Sequence, residues 1–470
     1  MNSLTASIFI NLFFFTSGVV LINVLKVKAS TFRVLILSYP LGIGTWSLLW
    51  MLTSVVSGIF GIYNNGITTH LSIIFTALLA IFSIFIIRKH SKLCKKHISS
   101  ALSVSFLIVF LTALFHSMKT TIILGDSFAF ITWSYRLKDV TAMGFPGFGL
   151  AVSNLSAFFI PDYYNYSMHT IISVCLTLLV FDSIRSYGQK WIMPVLMVLT
   201  MVTTNNFIWH SIYVNYHNLT AFYILSLCIY LNDRKTFPGT EKYFLLLLLF
   251  FISLIRMEGI LLSMSIIAIF LHRKDIAASE RRRISFMYSA FSLFYVFYLS
   301  SVLWNDPLFS AKKYAAVWCL YIVFVVFSEK LYKKIPVIIN YVHYLITGLT
   351  LALFLLFLSL NPSHLWSSTV SFILNTYSQS NWGITTHLIT VFLAIMIFMR
   401  MKSKKSEETD RLLMFYILSV LLILILSNFR PPYSVRWLDT GNRMLFHFLP
   451  LGIVWMGRKI QLINSKRTTS

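Results

Sequence analysis

The stretch YFLLLLLFFISLIRMEGILLSMSIIAIFLHRKD (243–275) determines how the chain is organised. Two apolar arms of about 13 residues flank the polar step Arg256-Met257-Glu258-Gly259, and an arm that short reaches only about 20 Å as helix. A bilayer's hydrocarbon core is about 30 Å thick. Lys242 precedes the first arm, and Arg273 and Lys274 follow the second. Basic flanks on one side and arms too short to cross predict a helical hairpin whose tip stays at membrane depth. An Arg or Glu there costs about 3 kcal/mol or more against lipid, so each must face protein or a wet cavity. Arg256 and Glu258 are therefore candidates for function. A mutual ion pair that merely holds the hairpin is the plainer reading.

Apolar runs recur on both sides of this hairpin. The 470 residues are 57% apolar and only 11% charged, whereas a soluble domain carries about a quarter of its residues charged. Spans are predicted near 4–25, 34–60, 71–87, 101–118, 166–181, 191–208 and 219–231, then near 285–303, 314–328, 336–358, 383–399, 412–428 and 444–457. The expected fold is an all-α transmembrane bundle of about 13 spans plus the hairpin. The N-terminal run lacks a basic n-region and carries its charge after the apolar stretch, which fits a first span rather than a signal peptide.

The net charge of +24 is a topology signal rather than a nucleic-acid footprint. Basic residues gather in short segments: Lys26/Lys28/Arg33, RKHSKLCKK (88–96), Arg185/Lys190, Arg234/Lys235/Lys242, Arg273 to Arg283, Lys330/Lys333/Lys334, Arg400 to Arg411 and the tail. These alternate with charge-poor loops, as the positive-inside rule requires. The N-terminus is expected outside, and the C-terminus in the cytoplasm of a bacterial cell. Cys94, Cys175, Cys228 and Cys319 have no redox or metal-ligand spacing. The histidines form no paired helical motif, so no dedicated zinc site is expected; one or two outward carboxylates could hold a divalent cation loosely, and the sequence points to no other cofactor. GITTHL occurs at 66–71 and again at 383–388, each time at an expected helix start, where Thr favours capping.

The outward segments collect the scarce acids and many aromatics: PDYYNYSMH (161–169), WHSIYVNYHN (209–218) and RPPYSVRWLDTGNR (430–443). Interleaved Tyr, Trp, Asn and His suit sugar rings, and equally suit the membrane interface with no ligand. Asp126, in TTIILGDSFAFITWSYRLKDVTAMGF (120–145), stands where the fourth span ends. Partial desolvation there raises a carboxyl pKa and makes a competent general base. Capping of a short helix is the alternative.

In order and sidedness these parts resemble the GT-C superfamily of integral-membrane glycosyltransferases, especially protein mannosyltransferases and lipid A aminoarabinose transferase. The parts are RKHSKLCKK, Asp126, NYHNLTAFYILSL (215–227), SLIRMEGILL (253–262) and NRMLFHFLPLGIVW (442–455). The resemblance covers roughly 88–460. It divides the chain into extra N-terminal helices (1–87) and a catalytic unit (88–470) with an outward loop at 119–165. Two departures stand out: Asp126 lies between Gly125 and Ser127, and Asn218 replaces an expected Asp.

The resemblance implies transfer of a sugar, with inversion, from a polyprenyl-phosphate donor to a glycan, lipid or protein acceptor outside the cytoplasm. It implies Asp126 as general base, with Arg256 and Arg443 on the donor phosphate. Glu258, Tyr135, Arg136, His217, Asn218 and His447 would line the substrate cavity. Two rivals remain: a surface-polysaccharide polymerase or ligase, which also shows outward arginines, and a lipid-linked-sugar flippase or transporter. The latter favours repeated halves with broken helices in matching places, and the short hairpin has no evident counterpart.

Overall fold

The computed structural model describes residues 2–59, 69–78, 91–118, 148–160, 163–188, 191–213, 215–237, 239–255, 258–302, 310–379, 382–398, 404–429, 431–436 and 439–467. These residues are helical, with no β-strand among them. The helices are α1 (Ser3–Val24), α2 (Thr31–Ile59), α3 (Thr69–Leu78), α4 (Ser91–Ser117), α5 (Phe148–Phe159), α6 (Ser167–Arg185), α7 (Ile192–Val202), α8 (Asn205–Ile212), α9 (His217–Asp233) and α10 (Glu241–Ile255). They continue with α11 (Gly259–Ile266, then a π turn Ile267–Leu271), α12 (Ala278–Val302), α13 (Ala311–Lys334), α14 (Ile338–Leu360), α15 (Pro362–Tyr377), α16 (Thr385–Phe398), α17 (Lys404–Ser427), α18 (Thr440–Leu445) and α19 (Leu449–Arg467).

Seven of the described helices are long and apolar enough to cross a membrane, and the chain is an all-helical membrane protein on that ground. An eighth crossing arises if α7 and α8, bent by 73° at their junction, form one broken span. The count is lower than the thirteen expected. Helices do stand at the expected spans near 219–231, 285–303, 383–399 and 444–457, but they are short or less apolar. Two helices escaped the sequence reading. α5 is only 12 residues long. α15 opens with Pro at its first turn and a polar PSH step, a helix start that a search for apolar runs passes over.

The hairpin is present. Its arms, α10 with 15 residues and α11 with its π turn at 8 and 5 residues, reach only about 20 Å each. They can lie so close because residue 259 is glycine. A Cβ there would sit 2.0 Å from the Ile252 carbonyl oxygen. The same device closes α1 onto α2: a Cβ at Gly18 would meet the Ser38 carbonyl at 1.7 Å, and one at Gly42 the Phe14 carbonyl at 1.7 Å. Backbone contact of this kind is how helices associate where lipid supplies no hydrophobic drive. Beside it, buried Asn11 ties four segments together. Its amide nitrogen donates to Thr112 at 2.8 Å and Ser167 at 2.9 Å, and its oxygen accepts from Tyr39 at 2.7 Å and Asn165 at 2.6 Å. Bonds of this kind contribute about 1 kcal/mol each between membrane helices.

The basic clusters that are described meet at one end of the bundle. Arg458, fully buried, grips Asp233 at 2.9 and 3.0 Å and donates to the Ser183 carbonyl at 2.9 Å. Its guanidinium lies 4.1 Å over the Tyr187 ring. Burial pushes the Tyr187 hydroxyl up to about 12, against the opposing pull of Arg458. Arg33 pairs with Asp182 at 2.6 Å, and Lys459 with Asp410 at 2.6 Å. Glu241 accepts from the Lys28 amide at 2.9 Å. Arg281 and Glu329 form a two-point pair at 2.6 and 2.8 Å, both about 7% exposed. The segment 88–96, read as a further basic cluster, has no described side chains.

Two outcomes follow from this packing. Gly42→Leu forces α1 off α2, so the yield of monodisperse protein in detergent is expected to collapse; near-normal yield and melting would contradict the close crossing. Arg281→Met strands a buried carboxylate and is expected to cost about 3–5 kcal/mol. Replacing Arg281 and Glu329 together by Met and Leu should recover most of that loss in the same denaturation assay. A double variant no better than the single one would show that the pair is not coupled.

Candidate functional site

At the opposite end, the starts of α6, α9 and α19 converge with α8. α9 is 17 residues long, which separates His217 from Asp233 by about 25 Å. His217 and His447, 230 residues apart in sequence, meet there. Nδ1 of His217 lies 2.7 Å from Nε2 of His447, and the rings stack at 4.9 Å. At that contact one imidazole donates and the other accepts, so the pair works as one donor–acceptor unit. The His210 ring stands 4.9 Å from that of His217 and 4.7 Å from that of Phe446. The Arg443 guanidinium is close enough to act electrostatically on His210.

Asn215 fixes the turn into α9. Its side-chain oxygen accepts from the His217 amide at 2.9 Å, and its nitrogen donates to the Tyr213 carbonyl at 3.1 Å and contacts His210 Nδ1 at 3.3 Å. A second group adjoins it: Tyr164 contacts His169 Nε2 at 3.0 Å and the Tyr216 hydroxyl at 3.1 Å. Asn218 joins the two groups. Its amide nitrogen donates to the carbonyls of His169 at 3.0 Å and His210 at 3.1 Å and to Ser173 at 2.9 Å. Asp439 caps α18 by accepting from Gly441 at 3.0 Å, and also accepts from the Ser434 amide at 3.0 Å. This anchors the helix that carries Arg443.

Four sequence candidates, His217, Asn218, Arg443 and His447, are thus gathered at one end of the bundle. Glu258, buried, begins α11 at the hairpin tip. Asp126, Tyr135, Arg136 and Arg256 lie outside the described residues. His169, His210, Tyr164 and Tyr216 were not singled out, although all fall within or beside the aromatic segments quoted above. Only the fold could show that segments some 45 residues apart share one polar network. Among the described residues, no group of three or more His, Cys, Asp or Glu could hold a metal ion.

Asn218 sits among acceptors. Its two N–H groups are shared among two backbone carbonyls and a hydroxyl, and a carboxylate would set oxygen against the two carbonyls. An asparagine at 218 therefore matches the pocket around it.

The fold and site define a helical membrane protein with a buried imidazole, tyrosine and amide network at the end away from its basic clusters. Compared with family models, curated proteins and solved structures, the chain matches none.

Asn218→Asp is expected to lower stability by about 1–3 kcal/mol, read as an earlier unfolding midpoint in detergent. An unchanged midpoint would show that the amide's donors are dispensable.

Proposed function

We propose that the chain is a GT-C-like glycosyltransferase that moves a sugar, with inversion, from a polyprenyl-phosphate donor to an acceptor outside the cytoplasm. The topology proposed with it has about 13 crossings, the basic end in the cytoplasm and the His217/His447 end outside. The observation that carries this reading is the convergence of His217, His447 and Arg443, from distant parts of the sequence, about 25 Å of helix away from the basic clusters. A lipid-linked donor needs such a place: a cation for its phosphate, aromatic and amide groups for its sugar, and access from the outer leaflet.

In the proposed reaction Asp126 takes the proton of the acceptor nucleophile. The nucleophile forms its bond to the anomeric carbon as the bond from that carbon to the phosphate oxygen breaks. Polyprenyl phosphate departs with the electron pair. Arg443 and Arg256 offset the charge that accumulates on it, for which planar guanidinium groups suit two-point contact. Glu258 orients Arg256 or a sugar hydroxyl, and Tyr135, Arg136 and the imidazole pair line the cavity. Asn218 holds the wall in place. No nucleotide enters the reaction.

The protein in nanodiscs, supplied with a radiolabelled single-sugar polyprenyl monophosphate and membrane acceptor extract, is expected to transfer label. Asp126→Asn should fold and insert normally and lose about 10²–10⁴-fold in rate. Full rate in that variant would remove the catalytic assignment. Activity confined to oligosaccharide diphosphate lipids would favour a polymerase instead.

A further inference from the structure

The basic end contains a cavity of about 270 Å³ between the π turn after α11 and the starts of α14 and α17. Arg273, Lys274 and Arg411 contribute cations to its wall, and Asp275 and Glu408 contribute carboxylates. Arg273 is 5% and Arg411 9% exposed. Arg273 pairs with Asp275 at 2.9 Å, and Tyr187 donates to Glu408 at 3.4 Å. The wall therefore keeps one positive charge in excess. Burial first, and the neighbouring Arg411 guanidinium second, push Arg273 down to about 10; two like charges held this close favour an added anion.

His272 is a neutral part of the same wall. It lines the same cavity and is 3% exposed. Its Nδ1 engages the Tyr332 hydroxyl at 3.1 Å, while its buried Nε2 has no hydrogen-bond partner among the described residues. Burial, assisted by Arg281, pushes the ring down to about 3, so it is neutral. Nε2 is enclosed within the wall and does not open onto the cavity. Above the cavity, Tyr341, Leu345, Leu349 and Leu353 are exposed at four-residue spacing along α14, forming one apolar stripe.

We infer that this cavity binds the phosphodiester of an anionic phospholipid, with the acyl chains lying along the α14 stripe. A phosphodiester carries one negative charge and only acceptor oxygens facing the protein. It balances the wall's excess, and Lys274, exposed at the rim, is free of the buried packing that holds Arg273. A zwitterionic lipid adds an amine that leaves the excess in place. Basic pockets between membrane helices at the positive-inside end take anionic lipid headgroups on these terms. The site is separate from the His217/His447 end and independent of the transferase reading.

Native mass spectrometry of the full chain in detergent, titrated with phosphatidylglycerol, phosphatidylethanolamine or inorganic phosphate, tests this. Phosphatidylglycerol is expected to stay bound at least tenfold more tightly than either alternative. Lys274→Gln changes an exposed side chain with no role in the proposed chemistry, and should weaken that binding about fivefold with an unchanged unfolding midpoint. Arg411→Gln should weaken it further. Equal retention of the two lipids, binding of inorganic phosphate as tight as that of phosphatidylglycerol, or no effect of Lys274→Gln would each overturn the assignment.

Discussion

A charge left unpaired in hydrocarbon is too costly to keep, and the architecture depends on how the chain meets that constraint. Its basic residues sit in short connections, and those described gather at one end, where carboxylates and carbonyls receive them. Arg458, with no exposure at all, shows how fully this is done: one guanidinium is shared by Asp233, a backbone carbonyl and a tyrosine face. Pinning the ends of α6 and α9 to the middle of α19 there fixes the direction of each, and so fixes which residues appear at the other end.

That other end is built from different chemistry. Neutral rings, amides and hydroxyls dominate the network there, and Arg443 stands beside them. Asn218 and Asn215 bond backbone groups together with the Ser173 hydroxyl and the His210 ring, which holds the imidazoles at set distances. The α10–α11 hairpin stands between the two regimes. Its feet lie in the ion-paired layer, through Glu241 and Arg273, and its tip carries Glu258 upward only as far as about 20 Å of helix allows.

Much of this was legible in the sequence because it follows from one-dimensional signals. Apolar runs between basic clusters located α1, α2, α4, α6, α13, α14 and α17, and arm length alone gave the hairpin. α15 was missed because amphipathic helices with polar starts carry no long apolar run. At the site, His217, Asn218, Arg443 and His447 could be named from local pattern and resemblance. Their partners could not: the contact between His217 and His447, and the three acceptors of Asn218, join residues up to 230 positions apart. The glycine contacts at 18 and 42 were equally hidden, since a glycine in an oily helix does not announce which backbone will press against it.

The central claim is that the end bearing His217, His447 and Arg443 receives a lipid-linked phosphate. A structure of the protein in nanodiscs with bound polyprenyl phosphate measures this directly. The account predicts phosphate density within salt-bridge distance of Arg443, on the side of the bundle away from Arg458 and Asp233. Density for the polyprenyl phosphate elsewhere, with none beside Arg443, would contradict it.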